Sequence, residues 1–174
     1  MAGNAALAAA AGYHFGLRIE EIAAGLEAAE LTKGRLQMRR AGDLTIIDDT
    51  YNASPDSSAA ALETLAGFAS EGRRIAVLGR MAELGTHSDE AHLALGRAVF
   101  SHGIDALFTS GTSEALLIAK GFVDAGGNAK AVRSYDDHAS CAAALRSEAT
   151  AKDIILIKGS RSTAMEKIIP LLTD

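Results

Sequence analysis

The stretch "DIILIKGS" (residues 153–160) sets four consecutive branched apolar residues, Ile154 to Ile157, between an aspartate and a Lys-Gly-Ser turn. A strand with one wet face alternates apolar and polar side chains. An unbroken apolar run instead implies helices on both faces, as in a buried parallel sheet. "RRIAVLG" (73–79) repeats the pattern, and further extended runs lie at 44–48, at 104–111 ("IDALFTSG") and at 129–135 ("AKAVRSY"). Helical stretches at about 56–70, 88–102, 112–125, 137–150 and 161–172 separate or follow them. Strand and helix alternate, so the spacing predicts a doubly wound, mainly parallel α/β sheet. Just before it, "RLQMRRAGDLTIIDD" (35–49) reads as a hairpin at the sheet edge, turning on Ala41-Gly42-Asp43.

The rest of the composition bounds the class. With 174 residues, 48% hydrophobic and 22% charged, the chain can bury a sizeable core. Its net charge of −5 is spread without long like-charged blocks, so no basic footprint for nucleic acid and no polybasic membrane patch is present. No apolar run reaches the about 20 residues of a membrane span, and the single Cys141 cannot form an internal disulfide. A cytoplasmic protein is expected. At the amino end, "NAALAAAAGYHF" (4–15) and "RIEEIAAGLEAA" (18–29) give two helical patterns, the second with Ile19, Ile22, Ala23 and Leu26 at i, i+3, i+4, i+7. Two such helices make no core alone, so residues 1–33 are expected to be the end of an earlier domain, and residues 34–174 the sheet domain.

In sheets of this kind ligands sit beyond the carboxyl ends of the strands. The residues directly after each strand therefore carry the functional reading. In "IIDDTYNASPD" (46–56), Ser54 or Asp56 can cap the next helix and Pro55 suits its first turn. Capping needs one short polar side chain and leaves Asp49, Tyr51 and Asn52 unexplained; they form either a structural turn or a grip on a ribose and a heteroaromatic base. "LGRMAELG" (78–85) matches neither GxGxxG nor GxxxxGK[ST], and the chain contains no Gly-Lys pair, so it carries no phosphate loop. Glu83 is a site residue or a solvated loop charge. His92, beside Ala91 and Leu93, suits a core position better than a metal. His14, His87, His102 and His138 lack ligand spacing, and no metal is assigned. After the last strand, Lys158, Gly159 and Ser160 precede an expected helix opening at Ser162 and Thr163, whose free N–H groups and positive end would suit a carboxylate or phosphate.

"DDTYNASPDSSAAALETLAG" (48–67), "VLGRMAELGTHSDEAH" (77–92) and "KGSRSTAMEKII" (158–169), in this order, resemble the carboxyl-terminal part of the Mur ligase family. The resemblance runs from Asn4 to the end. It implies a Rossmann-like last domain and an ATP- and Mg²⁺-dependent cytoplasmic ligase. Among the family's members the motifs look like those of the enzyme that adds D-Ala-D-Ala to UDP-MurNAc-tripeptide through an acyl phosphate, in peptidoglycan precursor synthesis. The family's phosphate loop and metal carboxylates would lie in upstream domains of the same chain, so this portion alone is expected to be inactive. By the family pattern Asn4 faces the adenine, Arg35 reaches the phosphates, and Asp49, with Tyr51 and Asn52, holds the ribose. Lys158, Gly159, Ser160 and Arg161 fall on the dipeptide side; Glu83, Ser88 and His92 match a further loop pattern without an assigned step. Arg80 departs from the family's usual Asp and reverses the charge there. A stand-alone α/β module binding a nucleotide or phosphometabolite is the other reading of the same residues.

Overall fold

The computed structural model of the chain describes residues 2–29, 32–111 and 113–173. Residue 112, the first of the expected 112–125 helix, lies outside the described residues. The chain divides into two units, Met1–Thr32 and Lys33–Asp174.

In the first unit α1 (Ala2–His14) and α2 (Ile19–Glu27) form where the two patterns predict helices. Alanine, which loses no side-chain entropy, dominates α1, and Glu21 accepts the Arg18 N–H at 2.8 Å to start α2. The apolar stripe on α2 contains no buried residue, and Leu7, Tyr13, Phe15 and Ile19 are exposed.

The second unit holds β1 (Gln37–Ala41), β2 (Leu44–Asp49), α3 (Pro55–Gly67), β3 (Arg74–Leu78), α4 (Ser88–Ser101), β4 (Ala106–Ser110), α5 (Ser113–Asp124), β5 (Val132–Tyr135), α6 (His138–Glu148) and β6 (Ile154–Lys158). The sheet order is β1-β2-β6-β3-β4-β5. β1 runs antiparallel to β2 as the edge hairpin, and every other pair is parallel. Successive strand residues face opposite sides. Ile75, Val77, Ile155 and Ile157 therefore join Cys141 and Leu145 of α6, while Ala76, Leu78 and Leu156 join Leu62 of α3, Val99 of α4 and Ile118 of α5. Both faces are covered, which is why "IAVL" and "IILI" do not alternate. Burial pushes the Cys141 thiol up to about 12, so it is a packing group rather than a nucleophile. On the α3–α5 face, α4 and α5 touch backbone to backbone: a Cβ on Gly96 would fall 2.0 Å from the Ile118 carbonyl oxygen.

Two expected elements differ. Residues 129–131 form a 3₁₀ turn, capped by the Asn128 side chain accepting the Lys130 N–H, so β5 starts only at Val132. The expected helix 161–172 is three 3₁₀ segments, Arg161–Thr163, Met165–Ile168 and Pro170–Leu172. Ala164 in the left-handed region and Pro170 break the ladder. Met165, Ile168 and Leu172 of this segment are nevertheless buried. No helix among the described residues is long and apolar enough to cross a membrane.

Candidate nucleotide and substrate cleft

β6 lies between β2 and β3 with Asp49 opposite Lys158 and Lys158 opposite Leu78. The loops that follow these three strands, which carry the three sequence motifs, consequently emerge side by side. Adjacent aspartates on β2 face opposite ways. Asp48 looks to the edge hairpin: it accepts from Arg39 Nη1 at 2.9 Å and from Thr50 Oγ1 at 2.7 Å, which closes the turn after the strand. Asp49 looks inward. Its Oδ2 accepts from Lys158 Nζ at 2.6 Å and its Oδ1 accepts the Leu36 N–H at 3.1 Å. Lys158 also donates to the Asn52 carbonyl at 2.8 Å, and its side chain is 2% exposed. Burying an ammonium group is costly unless it is paired and hydrogen-bonded, and here Asp49 and a carbonyl supply both.

The segment before β1 is pinned to the same place. The Tyr51 N–H donates to the Gly34 carbonyl at 2.9 Å, and the Arg35 guanidinium lies 4.4 Å above the Tyr51 ring. Gly34 has φ +71, and a Cβ there would fall 3.0 Å from both Thr50 Oγ1 and the Tyr51 nitrogen, so both conformation and space demand glycine. Arg35 and Tyr51 are exposed, a charged and aromatic platform beside Asp49.

Next to this platform an open cleft of about 510 Å³ is lined by Asn52, Glu83, Leu84, Ser160, Arg161 and Ser162, among others. All three motif loops reach it. Ser160 N–H donates to the Arg80 carbonyl at 3.0 Å, and Arg161 Nη1 to Glu166 Oε1 at 3.0 Å. At the bases of the second and third loops glycine is required by close packing on the buried Met165: a Cβ on Gly159 would lie 2.5 Å from Met165 Cγ, and one on Gly79 2.7 Å from Met165 Sδ. Among the described residues the non-glycine positions with positive φ are Leu36, just before β1, Glu83 in the loop after β3 and Ala164 in the loop after β6. Such backbone persists only where surrounding structure over-determines it, and it clusters at functional sites.

The expected residues thus divide. Arg35, Asp49, Tyr51 and Asn52 come together, as do Glu83, Ser160 and Arg161. Lys158 turns inward: its charge is committed to Asp49, so it offers no free ammonium to a carboxylate, and the helix end expected beside it is absent. Ser88 and His92 stand behind the cleft. His92, fully buried, donates from Nδ1 to the Ser88 carbonyl at 2.7 Å and accepts the Met81 N–H on Nε2 at 2.8 Å. It braces the loop after β3, the core role its apolar neighbours suggested. Arg80 pairs with Glu114 at 3.1 Å, so its reversed charge is directed to the start of α5. Asn4 is exposed on α1, in the first unit. Sequence reasoning passed over Asp48 and the strained positions: carboxylate direction follows from strand parity, whereas a positive φ at Glu83 or Ala164 leaves no mark on residue type.

The comparison with known proteins is decisive at family level. Residues 34–161 match the Mur ligase glutamate ligase domain model. The chain belongs to the Mur ligase family. It is 35% identical over 172 residues to the UDP-N-acetylmuramoyl-tripeptide–D-alanyl-D-alanine ligase of Bacillus subtilis, covering 98% of this chain and 37% of that protein. Against the Escherichia coli ligase of the same name the identity is 33%, over 98% and 36%. Among solved structures, the MurF ligase of Thermotoga maritima in complex with ADP superposes with a TM-score of 0.75 at 27% identity, covering 94% of this chain and 35% of that one. A MurF structure from Acinetobacter baumannii gives 0.78 at 29%, over 98% and 36%. The chain therefore spans little more than a third of the length of these Mur ligases.

Proposed function

We propose that this chain is the nucleotide- and dipeptide-gripping portion of a cytoplasmic ligase that joins D-Ala-D-Ala to UDP-MurNAc-tripeptide in peptidoglycan precursor synthesis. The observation that carries this reading is the convergence of Asn52, Glu83, Ser160 and Arg161 on one cleft beside the Arg35–Tyr51 platform. In the reaction ATP phosphorylates the tripeptide carboxylate. The dipeptide amine then attacks the acyl carbon, phosphate leaves, and a C–N bond remains. Arg35 places a delocalised cation near the ATP phosphates, where negative charge moves during transfer. Asp49, held from behind by Lys158, keeps lone pairs for the ribose hydroxyls, with Tyr51 and Asn52 alongside. Asn4 is assigned to the adenine side from the family pattern alone. Gly159, Ser160 and Arg161 form the dipeptide side, and Arg161 can exchange Glu166 for the dipeptide carboxylate at similar hydrogen-bonding strength.

Among the described residues no three His, Cys, Asp or Glu side chains gather as metal ligands. We assign the Mg²⁺ that accompanies ATP to the complete ligase, where one or two carboxylates and the nucleotide phosphates suffice to hold it, and the roles of Arg35, Asp49 and Arg161 do not pass through the metal. The helical unit 1–32 we assign to the end of the ATPase domain.

The test is ADP release by the complete ligase containing this chain, with and without D-Ala-D-Ala. Dipeptide-dependent release is expected. Asp49→Ala should raise the KM for ATP at least about 10-fold, the loss of a charge-assisted hydrogen bond and of its neighbours' placement, and change the KM for the UDP-sugar little. An unchanged KM for ATP would remove the nucleotide assignment.

A further inference from the structure

His138 belongs to none of the three motifs, yet it is the side chain that fastens the third one from outside the cleft. It opens α6, whose first turn is fixed by Asp137: the Ser140 N–H and Oγ donate to the Asp137 carboxylate, each at 2.8 Å. These bonds hold the Asp137 carboxyl below its usual range, the backbone bond first. From this anchored turn the His138 ring spans two other elements. Nε2 lies 2.7 Å from the Thr163 carbonyl oxygen, and Nδ1 lies 2.8 Å from Ser110 Oγ at the end of β4. A carbonyl oxygen only accepts, so Nε2 carries the hydrogen. In the neutral ring Nδ1 then accepts, and the Ser110 hydroxyl donates to it. Ser110 is fully buried on the sheet, so the far end of the strut is rigid.

The carbonyl it holds is placed to matter. The Thr163 C=O belongs to the peptide that leads into Ala164, whose φ of +51 is the strained turn ending the Arg161–Thr163 segment. The start of the loop is tied to the loop after β3 by the Ser160 N–H, which donates to the Arg80 carbonyl; beyond it the bonds of Thr163 are short-range, its N–H and Oγ1 both donating to the Ser160 carbonyl, at 2.9 and 2.6 Å. Those bonds shape the turn without fixing its orientation to the sheet. The His138 bond supplies a tie from the loop's apex to a different layer.

We infer that His138 is a positioning residue of the cleft, which sets the orientation of Arg161 and Ser162 by holding the Thr163 carbonyl against Ser110. This rests on the ligase reading for the identity of the ligand, but the strut itself does not.

Two measurements separate the two claims. On the chain itself, the ¹⁵N shifts of the His138 ring should report the Nε2–H tautomer. In His138→Ala, backbone amides of residues 162–166 should exchange faster than in the parent while those of β3 and β6 keep their protection. In the complete ligase His138→Ala should raise the KM for D-Ala-D-Ala about 10-fold or more with the KM for ATP nearly unchanged, because a displaced positioning group costs orders of magnitude at its own subsite. His138→Gln, whose amide can donate to Thr163 and accept from Ser110, should recover most of that loss. Unchanged exchange in residues 162–166, an unchanged dipeptide KM, or equal changes in the dipeptide and ATP constants would each overturn the inference. A parent enzyme without dipeptide-dependent ADP release, together with the expected exchange result, would sink the ligase reading and leave the strut standing.

Discussion

The two rims of this sheet bury charge equally readily and use it differently. At the amino ends of the strands Asp153 is buried and accepts from the Arg73 N–H at 2.7 Å, from Arg73 Nη2 at 2.8 Å and from the Thr150 N–H at 2.9 Å. Arg133 Nε meets Glu148 at 3.0 Å beside it, and Asp105 accepts the Arg74 N–H at 2.7 Å. No described non-glycine residue of this rim has a positive φ. At the carboxyl ends the Asp49–Lys158 pair is as well satisfied, but the loops above it hold Leu36, Glu83 and Ala164 in the left-handed region and leave Arg35, Tyr51 and Arg161 reaching outward. A buried ion pair therefore does not mark the site here. What sets the carboxyl rim apart is left-handed backbone together with exposed polar side chains around an open cleft.

The comparison breaks most sharply at Lys158. Lys158→Ala leaves the Asp49 carboxylate buried without its cation, and the expected loss is about 3–5 kcal/mol of folding free energy, measured by the denaturant midpoint of the chain. In the complete ligase the KM for ATP should rise before that for the dipeptide, because Asp49 is the group left unheld. A loss below about 1 kcal/mol, the range of an exposed pair, would mean that Lys158 looks outward after all.

At the opposite rim Asp153→Asn should cost about 1.5–3 kcal/mol, the range for charged hydrogen bonds, with every substrate constant unchanged. Its pH dependence has a defined sign. Burial alone would raise the Asp153 carboxyl, but the bonds from Arg73 and Thr150 outweigh it and set the folded value below the ordinary 3.8. The unfolded chain thus binds the proton more readily. The contribution is complete above pH 3.8 and is lost as pH falls through the lower, folded value. Unfolding curves of parent and Asp153→Asn measured down to pH 2.5 or so, in roughly half-unit steps, should converge at the acid end. A gap that stays constant would show that the pair is not ionic.

How much of this was legible beforehand depends on what each feature is made of. The doubly wound sheet and edge hairpin follow from burial on both strand faces and from the turn at Gly42, and both are sequence-local properties. The convergence of three loops follows from the position of the ligand crevice in such sheets together with the motif order. In the last segment Met165, Ile168 and Leu172 fall at helical spacing, yet Ala164 adopts a left-handed turn and Pro170 removes a donor, and the segment forms 3₁₀ turns. A period can be met by 3₁₀ turns as well as by an α-helix. The inward turn of Lys158 and the strut from His138 to Thr163 are long-range pairings, and no spacing in one sequence reports them.

The smallest expected effect isolates the strain itself. Glu83 has φ +63 and an exposed side chain lining the cleft. Glu83→Ala removes the carboxylate and keeps a Cβ in the left-handed region, whereas Glu83→Gly removes both. Left-handed backbone costs an L-residue roughly 1–2 kcal/mol, and the greater freedom of glycine in the unfolded chain returns about 0.4–1 kcal/mol of that. The glycine variant should therefore be more stable than the alanine variant by about 0.5–1 kcal/mol, a difference that paired thermal melts of the chain resolve. If the strain serves to hold the loop in its binding geometry, the more stable glycine variant should also be the poorer user of D-Ala-D-Ala. Equal stabilities would show that Glu83 stores nothing, and the contrast between the rims would then rest on the exposed polar groups alone.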